Sequence, residues 1–80
     1  GHEFVGRIVG IGAAVQSVRL GDRVYAPFST SCGTCRTCQS GLTSRCERGQ
    51  LFGWRQHGVG LHGGQAERVR VPLADGTLKV

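Results

Sequence analysis

The sequence is poor in several things that define common protein classes. It has no apolar run long enough to span a bilayer and no signal peptide, which argues against a membrane protein and against secretion. No segment keeps a sustained helical period, so a helix bundle is excluded, and no internal repeat suggests a solenoid. Acidic residues number five against ten cations, yet the cations never gather in a run and no aromatic-rich surface accompanies them. Single-strand and RNA readers need both, so the pI of about 9.7 alone makes a weak case for nucleic acid. Eighty residues make one small domain whose core is marginal without staples.

What the chain does have is glycine and a tight group of thiols. Fourteen glycines mark a chain rich in turns and poor in helix formers, and the segments between them that show a pattern read as strands, which makes the chain mostly β. All four cysteines fall in the run Cys32-Gly-Thr-Cys35-Arg-Thr-Cys38-Gln-Ser-Gly-Leu-Thr-Ser-Arg-Cys46. Two-residue gaps turn the backbone so that three sulfurs converge, and a longer loop brings the fourth to complete a tetrahedron around zinc. Leu42 is the only aliphatic residue inside, so the metal must supply the stability that burial does not. Two disulfides are a rival reading, opposed by the repeated short spacing and the lack of secretory features. An iron–sulfur cluster is another, but the bacterial ferredoxin run closes after three residues and a proline follows, whereas here the gap is seven and Glu47 follows. A zinc ribbon would need two separated pairs. Four ionised thiols around one dication lower the formal charge of +5 by two, and Arg36, Arg45 and Arg48 are placed to offset the thiolates.

In chain order, Phe4 to Gly12 reads as a bent strand and Leu20-Gly21-Asp22-Arg23 as a tight turn. Val24-Tyr25-Ala26 is a second strand closed by Pro27. Phe52 and Trp54 are expected to anchor the cysteine lobe to the body. Arg68-Val69-Arg70-Val71 alternates cleanly and predicts a half-buried strand ended by Pro72, followed by a turn at Asp75-Gly76. Gly58-Val-Gly60-Leu-His-Gly63 matches a dinucleotide-binding glycine pattern letter for letter, but it leads into a strand, not a helix, and is read as loop chemistry. Gly10-Ile-Gly12-Ala-Ala-Val15 lacks the third glycine.

A histidine beside a glutamate is uninformative alone. Here Gly1-His2-Glu3-Phe-Val-Gly6 is followed by Gly12, Val15, Gly21-Asp22-Arg23-Val24 and the cysteine run, and later by Gly63-Gly64-Gln65-Ala66-Glu67 and Val69-Arg70-Val71-Pro72. In that order and separation the sequence resembles the catalytic domain of zinc-dependent medium-chain alcohol dehydrogenases, with wording nearest the formaldehyde-dehydrogenase-like branch. The resemblance covers nearly the whole chain. It implies a GroES-like, partly open β-barrel spanning 1–80 as a partial catalytic domain, with a zinc lobe at about 30–48 and the Rossmann domain absent. It implies that Cys32, Cys35, Cys38 and Cys46 bind a structural zinc, that His2 is one ligand of a catalytic zinc, and that Glu3 is the neighbouring acid. The implied chemistry is hydride transfer from a zinc-activated alcohol to NAD or NADP. The implied substrate is a small alcohol or aldehyde, in a cytoplasmic homo-oligomer with no nucleic-acid or membrane partner.

The other catalytic-zinc ligands and the proton-relay hydroxyl of that family have no counterpart here. The expectation is therefore a fragment of a longer enzyme, inactive by itself. The alternatives are a stand-alone zinc-binding module acting through its basic surface, and a relative that has lost catalysis and kept the lobe for assembly. His57 and His62 are read as ordinary loop histidines.

Overall fold

The computed structural model describes residues 2–80; the opening glycine of the Gly1-His2-Glu3 motif lies outside them. Strand β1 (Phe4–Arg7) pairs antiparallel with β2 (Arg23–Ala26), Phe4 facing Ala26 and Arg7 facing Arg23. Helix α1 (Arg36–Gln39) and a 3-10 turn (Thr43–Arg45) lie in the cysteine lobe, β3 (Arg55–Gln56) and β4 (Val59–Gly60) form a short hairpin, and α2 (Ala74–Thr77) is a single helical turn. An isolated bridge joins Tyr25 to Lys79 through a reciprocal pair of backbone bonds of 2.9 and 3.1 Å, so the C-terminal segment lies along the far edge of β2. The sheets stay open, as a partial barrel requires. No helix among the described residues is long and apolar enough to cross a membrane.

The connection between β1 and β2 folds as its residues suggest. Gly21 takes φ +89°, a left-handed conformation that L side chains avoid. The Asp22 carboxylate accepts the Arg19 N–H at 2.9 Å, closing the turn. The expected strand from Phe4 to Gly12 ends at Arg7, although Ile8 still donates to Asp22 O at 2.9 Å. Gly10 and Gly12 beyond it bring no side chain to pack.

The core gathers Val18, Val24, Ala26, Phe52, Leu61 and Leu78. Phe52 is fully buried at its centre and meets Phe4 edge to face, ring centroids 5.1 Å apart at 85°. Val69 and Val71 are half-buried against this cluster while Arg68 and Arg70 are exposed, so the alternation is right for burial. The strand itself does not form, because no neighbouring strand supplies a ladder there among the described residues. The turn expected at Asp75-Gly76 is the helical turn α2, entered through Leu73 at φ 54°. Gly76 is required by contact: a Cβ there would sit 2.1 Å from the Ser31 carbonyl oxygen.

Trp54 departs from expectation. Its side chain is 59% exposed and anchors nothing. Only Phe52 of the expected aromatic pair reaches the core, because the chain turns between the two: Gly53 takes φ +81° and the Trp54 N–H bonds back to Leu51 O at 3.4 Å.

Candidate metal centre

The chain enters the lobe through Ser29, Thr30 and Ser31, all three buried despite their hydroxyls. Thr30 and Ser31 both find partners. Thr30 donates its N–H to Gln50 O at 2.9 Å and its Oγ1 accepts the Gln50 N–H at 3.0 Å. The Ser31 N–H donates to Thr77 Oγ1 at 2.9 Å, and the Ser31 hydroxyl donates to Gly76 O at 2.7 Å. No buried side-chain polar atom among the described residues lacks a partner, which is the condition for burying hydroxyls without a large cost. The lobe is thus fastened by polar bonds to α2 and to residue 50, the task expected of Trp54.

Inside the lobe, α1 carries Cys38 inward, Gly41 turns the chain at φ +89°, and the 3-10 turn delivers Cys46. The four sulfurs all lie within 4.8 Å of one another, with Cys35 Sγ and Cys46 Sγ at 3.9 Å. Bonds of ~2.3 Å from one zinc ion to tetrahedral sulfurs place those sulfurs roughly 3.8 Å apart. All four cysteines are free, and the 3.9 Å between Cys35 Sγ and Cys46 Sγ is about twice a disulfide bond of ~2.05 Å, so the structure holds no paired crosslink among them. So close a set has room for one ion and none for the separate irons and sulfides of a cluster.

Backbone donors already point at the sulfurs. Cys32 Sγ accepts N–H groups from Cys35 at 3.2 Å and Thr34 at 3.4 Å, and Cys46 Sγ accepts those of Cys32 at 3.3 Å and Arg48 at 3.4 Å. Arg48 therefore reaches the quartet through its backbone. The protein environment sets the thiols apart. The Thr34 hydroxyl, then the Thr34 and Cys35 N–H groups, bring Cys32 down to about 7. The Thr37 hydroxyl, then the N–H groups of Glu47 and Cys38, bring Cys35 down to about 5. That hydroxyl also lies 2.9 Å from Arg45 O and has one proton for both partners, so its pull on Cys35 requires it to turn to the sulfur. Burial, reinforced by the surrounding thiols, pushes Cys38 up to about 11. A dication supplies what Cys38 lacks, a charge that makes its thiolate the favoured form. The donor set and its spacing fit zinc.

The two other predicted site residues lie outside this quartet. His2 and Glu3 are exposed, and the cysteines form the one group of three or more metal-ligating side chains brought together among the described residues. His2 Nδ1 bonds to the Phe52 carbonyl. A carbonyl only accepts, so Nδ1 is the donor in this bond and Nε2 is the ring nitrogen not engaged by it. Phe52 O was not foreseen: it is fifty residues away and no side-chain pattern reports a carbonyl's direction. His57 sits at φ 54° in the hairpin turn, and His62 Nε2 accepts from Arg55 at 3.3 Å. Neither joins a metal set.

Comparison with known proteins agrees with this geometry. The family model of the alcohol dehydrogenase GroES-like domain matches residues 1–80. A medium chain reductase/dehydrogenase of Acremonium sp is 54% identical over 78 residues, covering 98% of this chain and 25% of the relative. The glutathione-independent formaldehyde dehydrogenase of Pseudomonas aeruginosa is 43% identical over 81 residues, covering 94% of this chain and 20% of that enzyme. Among solved structures, the alcohol dehydrogenase TADH from Thermus sp. ATN1 superimposes with a TM-score of 0.86 at 40% identity, over 99% of this chain and 23% of that one. The chain thus spans about a quarter or less of the relatives it matches. With its open strand architecture and thiolate lobe, the chain belongs to the alcohol dehydrogenase GroES-like domain family.

Proposed function

We propose that this chain is the lobe-bearing part of the catalytic domain of a zinc- and NAD(P)-dependent alcohol or aldehyde dehydrogenase, acting on a small alcohol or aldehyde. The observation that carries it is the quartet of free sulfurs within 4.8 Å in a chain of this family. Cys32, Cys35, Cys38 and Cys46 hold a structural zinc. Their role is to fold residues 30–48 and fix them on α2, and they do no chemistry on substrate.

His2 is the one ligand this chain offers to a catalytic zinc, with Glu3 beside it. When bound, that zinc supplies the Lewis acidity that lets an alcohol lose its proton near neutral pH. The chain's own contribution is positional. Phe52, locked in the core, holds the His2 imidazole by Nδ1 and presents Nε2 outward. The remaining ligands, the dinucleotide domain and the subunit contacts of a cytoplasmic homo-oligomer belong to the rest of such an enzyme. Residues 1–80 alone are therefore expected to be inactive.

Metal analysis tests the first half of this reading. About one zinc per chain is expected, and a preparation that folds with no metal, or with visible iron absorption, overturns it. Assay of the purified 80-residue chain with ethanol or formaldehyde and NAD or NADP tests the second, since turnover would contradict the incomplete site.

A further inference from the structure

A second concave site lies away from the cysteine quartet, a cleft of about 800 Å³ between the β3–β4 hairpin and residues 62 to 70. Arg55, Arg68 and Arg70 line it with His62, and none of the five acidic residues does. Glu67, which adjoins Arg68 in sequence, lines a different cavity next to β1, one that Arg68 also borders. We propose that this cleft binds a small oxyanion, a phosphate or carboxylate group, through its three guanidinium groups.

Three observations carry the proposal. First, the arginines are positioned by the fold. Val69 and Val71 are half-buried against the core while Arg68 and Arg70 are exposed, and both arginines border the cleft. Second, Arg55 is held in place from both ends. It begins a hairpin whose two-residue turn, His57-Gly58, has φ 54° and 77°, the conformation that matches the twist of paired strands. At its tip, Nη1 donates to His62 Nε2 at 3.3 Å, which leaves the other guanidinium donors for a ligand. Third, the backbone approaches closely here: a Cβ on Gly60 would sit 2.1 Å from the Trp54 carbonyl oxygen. The glycine pattern around residues 58–63 therefore serves the hairpin's tight crossing, and no helix follows it to cradle a phosphate. The attraction for an anion comes from the arginines.

The size of the cleft favours a small molecule over a protein surface, since ligand sites run to about 300–1,000 Å³. Guanidinium forks match the paired oxygens of phosphate and carboxylate, and like charges with no acid lining the same cleft are relieved by a concentrated negative charge. The cleft and its test are independent of the dehydrogenase reading.

Isothermal titration of the zinc-loaded protein with inorganic pyrophosphate and, separately, with citrate at low ionic strength tests the site. At least one of the two is expected to bind at submillimolar concentration, and the tighter of them identifies the phosphate or the carboxylate as the source. In the exposed variants Arg68→Gln and Arg70→Gln the affinity should fall about tenfold each, the loss of one charge-assisted bond. The control Arg7→Gln/Arg19→Gln, which removes two charges elsewhere, should change it less than about twofold once screening by salt is matched. Zinc content and circular dichroism confirm that each variant is folded. Failure of both anions to bind overturns the site, and so does binding that the cleft variants leave unchanged or the control weakens equally.

Discussion

The cysteine lobe and the barrel body are neighbours joined by a few hydroxyls, and they are held together by different physics. The body centres on Phe52, with valines and leucines from several segments packed round it, so its stability scales with apolar area removed from water. The lobe buries Cys35, Cys38 and the hydroxyl residues at its base and leaves Leu42 exposed at 52%. In the proposed reading its order comes from four sulfurs sharing one cation. The two regions should then fail under different insults, the lobe to chelation and acid, the body to truncation of a side chain.

The largest expected effect is loss of the proposed zinc. Structural zinc contributes about 10–16 kcal/mol of apparent binding energy near neutral pH, so a strong chelator, or Cys38→Ala, should abolish hydrogen-exchange protection across residues 32–46. Protection around Phe52 and Leu61 should decline less. If both regions melt together at the same chelator concentration, they are one cooperative unit and the comparison fails.

Phe52→Ala reverses the pattern. Removing a fully buried ring from the core should cost about 3–5 kcal/mol, seen as a lower denaturant midpoint. Metal stoichiometry in the remaining folded fraction should be unchanged, and a variant that stays folded but loses its zinc would show that the body templates the lobe.

The junction is sharpened by Thr77→Val. The substitution keeps the shape of a fully buried side chain and orphans the Ser31 N–H, at a cost of about 1–3 kcal/mol. Zinc affinity, measured by chelator competition, should fall with it, because Ser31 adjoins the first ligand.

Asp75 supplies a smaller, pH-dependent effect. The Ser17 hydroxyl, then the Ser17 and Gln16 N–H groups, hold its carboxyl below the usual range. Its contribution is therefore present above the unfolded carboxylate value, about 3.9, and is lost as pH falls through the lower folded value. Asp75→Asn should flatten that acid limb of a stability–pH curve. An unchanged slope would mean that the carboxylate is not ordered in solution. The smallest effect belongs to Trp54→Ala, expected within about 0.5 kcal/mol because the side chain is already 59% exposed.

Much of the candidate site was readable from the chain itself. Cysteine spacing specifies a tetrathiolate because ligand convergence is local: every sulfur lies within fifteen residues, and only short loops need to close. The β1–β2 pairing and the Asp22 turn are similarly local. The Thr77 to Ser31 bonds span forty-six residues and use hydroxyls that look like ordinary loop polarity. The Val69–Val71 alternation correctly reported burial and failed as a strand, since a strand also needs a partner that no pattern within it can reveal.

The linear order of residues thus determined the cysteine quartet, the family and the β character of the chain, because each rests on near-neighbour spacing or on motifs read in succession. Which aromatic enters the core, what fastens the lobe, and which carbonyl orients His2 were decided only when distant segments met. Hydrogen-bond partners and buried contacts are properties of a packed surface, and that surface exists only after the chain has closed on itself.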